Sequence, residues 1–370
     1  MTCTCAIAER MLQIDGSGIR RMFDIGTSKQ LINMALGEPH FDVPAAVKRA
    51  CMSAMLAGKN KYTQNVGIVE LRRAVARKLK HENRIRANEN QVIVTCGALG
   101  GLSIIFQTLF QKGDEVLLFD PYFVAYERLV RLNGATPVFV DTYPDFTLDA
   151  EKIRSKITER TKAIILNNPC NPTGRVFSRE ELKAVADVAR EHDMVVISDE
   201  VYEKFVYDGE HLSIGRIYPK TVTVNGFSKS HAMTGWRIGY VHGPQEIMEH
   251  ALKAQQFNFT CASAPFQYAA MAALKTPVRK HVAMYKKKRN VVWNGLKDNY
   301  EFQKPAGAFF AFIRAPIRAQ DFVQRCMKKR LIVVPGNTFS QRDTHFRLSF
   351  ACPTETLEKG ISVLNSLCRE

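Results

Sequence analysis

Four short motifs carry side chains that could do chemistry, and each follows a segment rich in β-branched residues. They are Thr95-Cys96-Gly97-Ala98-Leu99, Asn167-Asn168-Pro169-Cys170-Asn171-Pro172-Thr173-Gly174, Asp199-Glu200-Val201-Tyr202, and Asn225-Gly226-Phe227-Ser228-Lys229, which is followed by Gly235-Trp236-Arg237. Each motif also has a plain structural interpretation. The prolines could only stiffen a turn, Asp199 could only cap a helix, and Lys229 could be a surface lysine. Their shared position after strands favours a common ligand.

The chemistry of three motifs fits one aromatic aldehyde. A buried lysine amine such as Lys229 can form a Schiff base when burial and nearby positive charge lower its pKa. A pyridine nitrogen stays protonated beside a carboxylate, which Asp199 can supply. A phenolic oxygen on the same ring is bonded by neutral donors, which Asn171 and Tyr202 can supply.

The remaining groups fit a phosphate on that same ligand. Phosphates bind at helix N-termini, where backbone amides point outward, and beside cations. The amides of Gly97, Ala98 and Leu99 begin a predicted helix, and Arg237 supplies the cation. Together these requirements describe pyridoxal 5′-phosphate. No pattern of cysteine and histidine indicates a metal site, and none is predicted.

The elements that must position these motifs alternate along the chain, as in an α/β fold. The predicted strands cover residues 91–94, 115–119, 136–140, 162–166, 194–198, 221–224 and 236–241. The predicted helices cover residues 66–82, 98–111, 122–132, 149–157, 178–191 and 244–257. Strands that are apolar on both faces and separated by helices predict a mostly parallel sheet, whose ligands bind beyond the carboxyl ends of its strands.

The alternation weakens after about residue 275, which predicts a second, smaller α+β domain. A long helix over residues 264–296 leads into apolar segments at 309–313, 331–334 and 346–350. We predict a large domain over residues 41–275 and a small domain over residues 276–370. The N-terminal segment, residues 1–40, is predicted to join the small domain.

Composition and charge limit which classes of protein this sequence can belong to. The chain has 370 residues, of which 46% are hydrophobic, so disorder is a poor interpretation. No apolar run is long enough for a membrane helix, and the first residues lack the pattern of a secretory signal. The nine cysteines are odd in number and scattered, which indicates free thiols and a cytoplasmic location. The net charge of 52 − 36 = +16 would suit a nucleic-acid-binding regulator, but no reader module is present and none is predicted.

At these motifs the chain resembles the class I/II aminotransferases, which have the fold-type I architecture of pyridoxal-phosphate-dependent transferases. Besides the four motifs, the resemblance rests on residues 36–44, 61–72 and 346–351, which occur in the expected order. Residues 14–26 resemble the N-terminal stretch of the prokaryotic aspartate and aminotransferase-A-like subgroup. The resemblance implies a large domain with a mostly parallel seven-stranded sheet, a smaller α+β domain, and a homodimer with shared active sites.

The resemblance also assigns roles to individual residues. It implies that Lys229 bonds to the cofactor and then carries the proton, that Asp199 pairs with the ring nitrogen, and that Asn171 and Tyr202 bond the phenolic oxygen. Further implied cofactor contacts are Gly97, Ala98, Leu99, Phe123, Ser228, Arg237 and, from the neighbouring subunit, Tyr62. Implied substrate contacts, made through the α-carboxylate, are Gly37, Asn171 and Arg347. Without the resemblance, Phe123 would be a core aromatic, Tyr62 an interface aromatic and Arg347 an inter-strand arginine.

Three residues depart from the family pattern. Gly226 and Cys96 stand where many relatives carry a hydroxyl that contacts phosphate, which leaves Ser228 as the candidate hydroxyl. Leu99 stands where some relatives with acidic substrates carry a lysine, and the loss of that cation removes one reason to bind the side chain of aspartate or glutamate. The predicted activity is transfer of an amino group from an L-amino acid to a 2-oxo acid such as 2-oxoglutarate. The donor is aspartate or a broader, aromatic set, and a C–S β-lyase or a cyclopropane-type synthase on the same fold is the alternative.

Overall fold

A seven-stranded sheet forms the centre of the larger part of the protein. The computed structural model describes residues 7–12, 14, 16 and 31–368. The strand order is β2-β8-β7-β6-β5-β3-β4, and within it only β8 runs antiparallel to its neighbours. The strands of the described chain are β1 Ile32–Asn33, β2 Val92–Thr95, β3 Glu115–Asp120, β4 Thr136–Asp141, β5 Thr161–Asn167, β6 Val195–Asp199, β7 Thr221–Gly226, β8 Gly239–His242, β9 Phe310–Arg314, β10 Leu331–Ile332, β11 Val334–Pro335 and β12 His345–Ser349.

Helices cover both faces of this sheet, and their packing explains why its inner strands are buried throughout. Every residue of β3, β6 and β7 is buried. The α-helices of the described chain are α1 Glu9–Leu12, α2 Ala45–Leu56, α3 Val69–Lys78, α4 Gly97–Leu109, α5 Val124–Leu132, α6 Ala150–Arg154, α7 Arg179–Glu191, α8 Gln245–Asn258, α9 Ala264–Leu274, α10 Arg279–Leu296, α11 Ala319–Lys328 and α12 Thr354–Leu367. The predicted α/β class is confirmed, since all seven predicted strands belong to this one sheet.

A local sequence signal explains where helix α7 begins. Helix α7 begins with a capping box, in which the Ser178 hydroxyl accepts from the Glu181 amide and the Glu181 carboxylate accepts from the Ser178 amide. These bonds satisfy two amides that the first turn of a helix leaves free. The buried side chains of α7 include Leu182, Val185 and Val188, which form the apolar face that covers the sheet.

Two sequence predictions about continuity are wrong. The long helix predicted over residues 264–296 is divided into α9 and α10, because Pro277 lacks an amide hydrogen and disfavours helical backbone in the residue before it. The apolar segment 331–334 forms two short strands, β10 and β11, which pair with different partners. A continuous apolar run cannot show such a division, because both halves are buried.

Two small sheets lie beside the large one. Strands β9, β12 and β11 form an antiparallel sheet, and β1 pairs in parallel with β10. A core cluster links these strands to the helices around them and extends to Tyr202 and Phe205, which follow β6. Strand β12 therefore carries its side chains to the edge of the large sheet.

The structure bears on two further expectations. The seven cysteines of the described chain are free thiols, whereas Cys3 and Cys5 lie outside the described residues. Among the described helices, none combines the length and the apolar character that a membrane span requires. Most of residues 14–26, on which part of the family resemblance rests, also lie outside the described residues.

Candidate active site

A cleft of about 650 Å³ opens at the carboxyl ends of the parallel strands. It is lined by most of the residues that the sequence singles out: Gly37, Ala98, Leu99, Phe123, Asn171, Asp199, Tyr202, Ser228, Lys229, Arg237 and Arg347. Gly97 lies against Arg237 at its rim, and Tyr62 does not line it. The four motifs therefore converge on one space, as the parallel topology requires.

Asp199 is a buried carboxyl at the floor of this cleft. It ends β6, and its two oxygens accept from the Tyr126 hydroxyl at 2.7 Å and from the Val201 amide at 3.2 Å. Burial raises the pKa of Asp199 to about 6, although the bond from Tyr126 and the charge of Lys229 oppose the rise. A buried carboxylate is stabilised by a cationic partner, so this position suits a ligand that brings a positive charge.

Lys229 is the only lysine among the described residues that line the cleft. Its Nζ donates to the carbonyl oxygen of Gly37 at 2.6 Å. Burial lowers the pKa of Lys229 to about 8, with Arg347 and Arg237 adding to the effect and Glu38 opposing it. The amine is therefore neutral in a larger fraction of molecules than a surface lysine would be, and a neutral amine is the form that acts as a nucleophile or base.

Arg347 is a fully buried guanidinium without a carboxylate partner in the described chain. It donates to Asn171 Oδ1 at 2.9 Å and to the Ala35 carbonyl at 2.7 Å, and its Nε has no partner. The rings of Phe310 and Phe339 lie 4.4 and 4.5 Å from its central carbon. Burial lowers the pKa of Arg347 to about 10. A buried cation of this kind is completed by a bound anion.

A second buried arginine shows what a completed pair looks like in this protein. Arg289 on α10 is as buried as Arg347, but it bonds the Asp208 carboxylate at 2.8 Å and the Pro305 carbonyl at 2.7 Å. Its charge is thus balanced within the chain. Arg347 lacks such a partner among the described residues, so its guanidinium suits an incoming carboxylate.

A network of amides holds Asn171 between Asp199 and Arg347. Asn167, which ends β5, donates from Nδ2 to the Asp199 carbonyl at 2.9 Å and accepts at Oδ1 from the Asn171 amide at 2.7 Å. Because β5 and β6 place Asn167 directly opposite Asp199, sheet register fixes this link. Tyr202 packs edge-on against Phe310, and burial raises its pKa, so its hydroxyl stays protonated and can donate.

The turn into α4 brings backbone amides close to Arg237. Gly97 has φ +74°, and a Cβ there would lie 2.8 Å from Arg237 Nη2. A Cβ on Gly239 would lie 2.8 Å from the Ala98 nitrogen. The missing side chains therefore allow the N-terminus of α4, strand β8 and the Arg237 guanidinium to surround one small volume. Such a cradle suits a phosphate.

Sequence reasoning missed several residues of the cleft. Tyr126, which bonds Asp199, lies one helical turn after Phe123, and its position just beyond a strand end was the available signal. Glu38 accepts from Thr234 at 3.2 Å, and both line the cleft. Tyr62 is 86% exposed, so its predicted role in a neighbouring subunit stays a prediction.

Comparison with known proteins defines the class and then the family. The sheet topology is that of the fold-type I transferases. A family model described as "Aminotransferase class I and II" matches residues 29–364. The chain belongs to this family, so the resemblance predicted from the motifs is confirmed and the protein is an amino acid aminotransferase.

Individual relatives agree over nearly the whole length. The chain is 38% identical to an aspartate aminotransferase of Pyrococcus abyssi, over 99% of each chain. It is 36% identical to aromatic-amino-acid aminotransferase 2 of Thermococcus litoralis, also over 99% of each. The structure of the aspartate aminotransferase of Thermus thermophilus with maleate superposes with a TM-score of 0.94 at 36% identity, covering 98% of this chain and 99% of that one. The β-lyase alternative is not favoured by these matches.

Proposed function

We propose that this aminotransferase uses pyridoxal 5′-phosphate to move an amino group from an apolar or aromatic L-amino acid to a 2-oxo acid such as 2-oxoglutarate. The observation that carries the proposal is the buried guanidinium of Arg347, which lacks an anion and lies in the same cleft as Lys229. Amino acids and 2-oxo acids share an α-carboxylate, which is the group that a buried, forked cation recognises.

The residues present fit the proposed cofactor. The volume around Gly97, Gly239 and Arg237 has space only because two Cβ atoms are missing, and it offers amides and a guanidinium to a phosphate. At the other end of the cleft, the buried carboxyl of Asp199 suits a protonated ring nitrogen. When bound, pyridoxal phosphate supplies an electrophilic aldehyde and an electron-withdrawing ring.

Different side chains of the cleft serve substrate binding and proton transfer. Arg347 binds the substrate carboxylate and is itself held by Asn171 and by the Ala35 carbonyl. Lys229 accepts a proton from the substrate α-carbon at Nζ and returns it, because its lowered pKa makes the neutral amine available. With the cofactor bound, Asp199 would stabilise a positive charge on the ring nitrogen, and Asn171 and Tyr202 would supply donors for the ring oxygen. Phe123 would contact the ring.

The preference for apolar donors rests on the lining of the cleft near its mouth. Ile14, Leu36 and Leu99 line it, and Leu99 is 44% exposed. A further arginine that lines the cleft, Arg128, bonds the carboxylate of Glu127 at 2.7 Å, and Arg131 bonds the same carboxylate at 3.1 Å. The relatives include proteins named for aspartate and for aromatic amino acids, and the apolar lining supports the second group for this chain.

We also propose a homodimer in which Tyr62 reaches the cofactor phosphate of the neighbouring subunit. Among the described residues, three large apolar or aromatic side chains are almost fully exposed in the single chain, namely Leu56 at 88%, Tyr62 at 86% and Phe257 at 86%. Exposed apolar groups of this size are typical of interaction surfaces. The free thiols of the described cysteines support a cytoplasmic location. We also keep the proposed domain boundaries, with a large domain over residues 41–275 and a small domain over residues 276–370.

The decisive experiment replaces the amine. Lys229→Ala should abolish turnover with every amino donor, and borohydride should no longer fix pyridoxal phosphate to the chain. Lys183→Ala removes an exposed lysine of α7 and serves as the matched control, which should keep both properties. Full activity of Lys229→Ala would refute the proposed mechanism. A panel of L-amino acids with 2-oxoglutarate tests the donor class, and a strong preference for aspartate would refute the apolar assignment.

A further inference from the structure

A second pocket, of about 630 Å³, lies at the opposite edge of the large sheet from the active site. The residues that line it include Gln91 and Thr221, where the parallel strands β2 and β7 begin, and His242, where the antiparallel strand β8 ends. The active-site cleft lies at the other ends of these strands. We call this second space the arginine pocket, after Arg84, Arg86 and Arg216, which line it.

The charge of the arginine pocket is unbalanced. Arg84, Arg86 and Arg216 are exposed, and none of the three guanidinium groups has a hydrogen bond or ion pair with another described residue. None of the described residues that line the pocket is acidic. Other exposed arginines of the described chain are either paired, as Arg342 is with Asp141, or unpaired and outside the pocket, as Arg179 is. Three unpaired guanidinium groups around one concave space create a positive potential that attracts anions.

The floor of the arginine pocket carries polar side-chain atoms that have no hydrogen-bond partner in the described chain. Thr223 and His242 stand opposite each other in the register of β7 and β8, and both are at least 95% buried. The Thr223 hydroxyl and both ring nitrogens of His242 have no hydrogen-bond partner in the described chain. Buried polar atoms are normally satisfied, so their clustering beneath the arginines is a feature of a binding site more than of a packed core.

The backbone around Arg84 is fixed by contacts that reach the active-site strand. Arg84 adopts φ 59° and closes a π-helical turn over Leu79–Asn83. Asn83 donates from Nδ2 to Glu203 at 2.8 Å and to Glu200, the residue after Asp199, at 3.2 Å. A residue other than glycine in left-handed backbone is uncommon and persists where its surroundings hold it. The arginine is therefore presented from a fixed turn.

We propose that the arginine pocket binds a small molecule that carries two or more phosphate groups. Guanidinium groups bind phosphate oxygens in a forked geometry. The positive charge of three guanidinium groups exceeds the negative charge of a single phosphate group, so a ligand with two or more phosphates would balance it better. The volume is that of an ordinary ligand site and its shape is concave, which favours a small molecule over a nucleic-acid backbone. This site is separate from the predicted cofactor phosphate at Arg237, which lies at the other edge of the sheet.

The test measures binding of inorganic pyrophosphate to the protein loaded with pyridoxal phosphate, so that the cofactor site is filled. Isothermal titration of the wild type should show one pyrophosphate per chain. The double variant Arg84→Gln/Arg216→Gln should weaken binding at least about tenfold, as expected for the loss of two charged contacts. The control Arg179→Gln/Arg325→Gln removes two exposed arginines outside the pocket, so its net charge equals that of the pocket double variant. Its affinity for pyrophosphate should stay within about twofold of the wild type.

Each outcome decides the proposal independently of the catalytic one, because the readout is binding and not turnover. Absence of pyrophosphate binding to the wild type would overturn it. Equal weakening in the two double variants would also overturn it, because the effect would then come from overall charge. Short duplex DNA that binds more tightly than pyrophosphate, with equal losses in both variants, would assign the charge to nucleic acid instead.

Discussion

Replacing Arg347 with methionine tests the substrate-binding assignment most directly. Methionine is apolar and flexible enough to fill the space between Phe310 and Phe339 without carrying a charge. It removes the group to which a substrate carboxylate would bind and leaves Lys229 and Asp199 unchanged. The experiment therefore separates carboxylate recognition from proton transfer.

The expected magnitude follows from the burial of the guanidinium. Loss of one partner from a buried, hydrogen-bonded charge pair costs about 2–5 kcal/mol, which corresponds to about 30-fold to 4000-fold in kcat/KM. Most of this loss should appear in KM, because the carboxylate is bound before and during the reaction. It should be the same for every amino donor and 2-oxo acid, since all of them carry the α-carboxylate.

Stability should change far less than activity. The lowering of the pKa of Arg347 to about 10 corresponds to a cost of about 3 kcal/mol for keeping the charge buried, and methionine removes that cost. Against this, Asn171 Oδ1 and the Ala35 carbonyl each lose a donor, at about 1–3 kcal/mol apiece. The free energy of unfolding should therefore change by between about +1 and −3 kcal/mol, and the variant should remain folded.

The assay is steady-state kinetics over a panel of donors, combined with urea denaturation. Arg289→Met is the matched control, because Arg289 is equally buried but has Asp208 as its own anion. It should lower the free energy of unfolding and leave KM unchanged. If Arg347→Met kept the wild-type KM, or if its loss of activity varied strongly from donor to donor, carboxylate binding by Arg347 would be refuted.

Three further predictions concern reactivity, specificity and stability. Because burial lowers the pKa of Lys229 to about 8, the neutral fraction of its amine rises with pH below that value. The rate at which the apoprotein combines with an aldehyde should therefore rise about tenfold from pH 6 to pH 7 and level off above pH 8, and a rate that is flat over pH 6–8 would contradict this. Leu99→Lys should increase kcat/KM for aspartate relative to phenylalanine, which a two-donor competition assay would measure, whereas an unchanged ratio would show that residue 99 does not contact the donor side chain. Ser178→Ala should lower the free energy of unfolding by about 1 kcal/mol through loss of the α7 cap, with kinetics unchanged, and a wild-type denaturation midpoint would show that the cap contributes nothing.

The sheet and the centre of the cleft were predictable because their signals are local. The strands of the large sheet are short segments rich in apolar and β-branched residues, and polar site residues stand at or soon after their ends: Asp199 is the last residue of β6, and Asn171 lies four residues after β5. Parallel topology then brings those residues to one edge without further information. The break between α9 and α10 was also readable at Pro277, but the apolar pattern on both sides of it obscured the signal.

Features that depend on distant residues were not predictable. The position of Tyr126 soon after a strand end could place it near the site, but only the fold shows that its hydroxyl bonds Asp199. The arginine pocket joins Arg84 to Arg216, which are far apart in the sequence and lie on separate turns. That no described carboxylate pairs with Arg347 is likewise a property of packing in three dimensions.

The buried charge of Arg347, which has no carboxylate partner among the described residues, couples the stability of the folded enzyme to the concentration of its substrates. A carboxylate that binds only the native chain adds RT ln(1 + [L]/Kd) to the free energy of unfolding, or about 2.7 kcal/mol at one hundred times Kd. The heat resistance of the protein should therefore rise and fall with the supply of amino and oxo acids. In a starved cell the same chain would unfold at a lower temperature, and proteases that attack unfolded chains would remove it sooner.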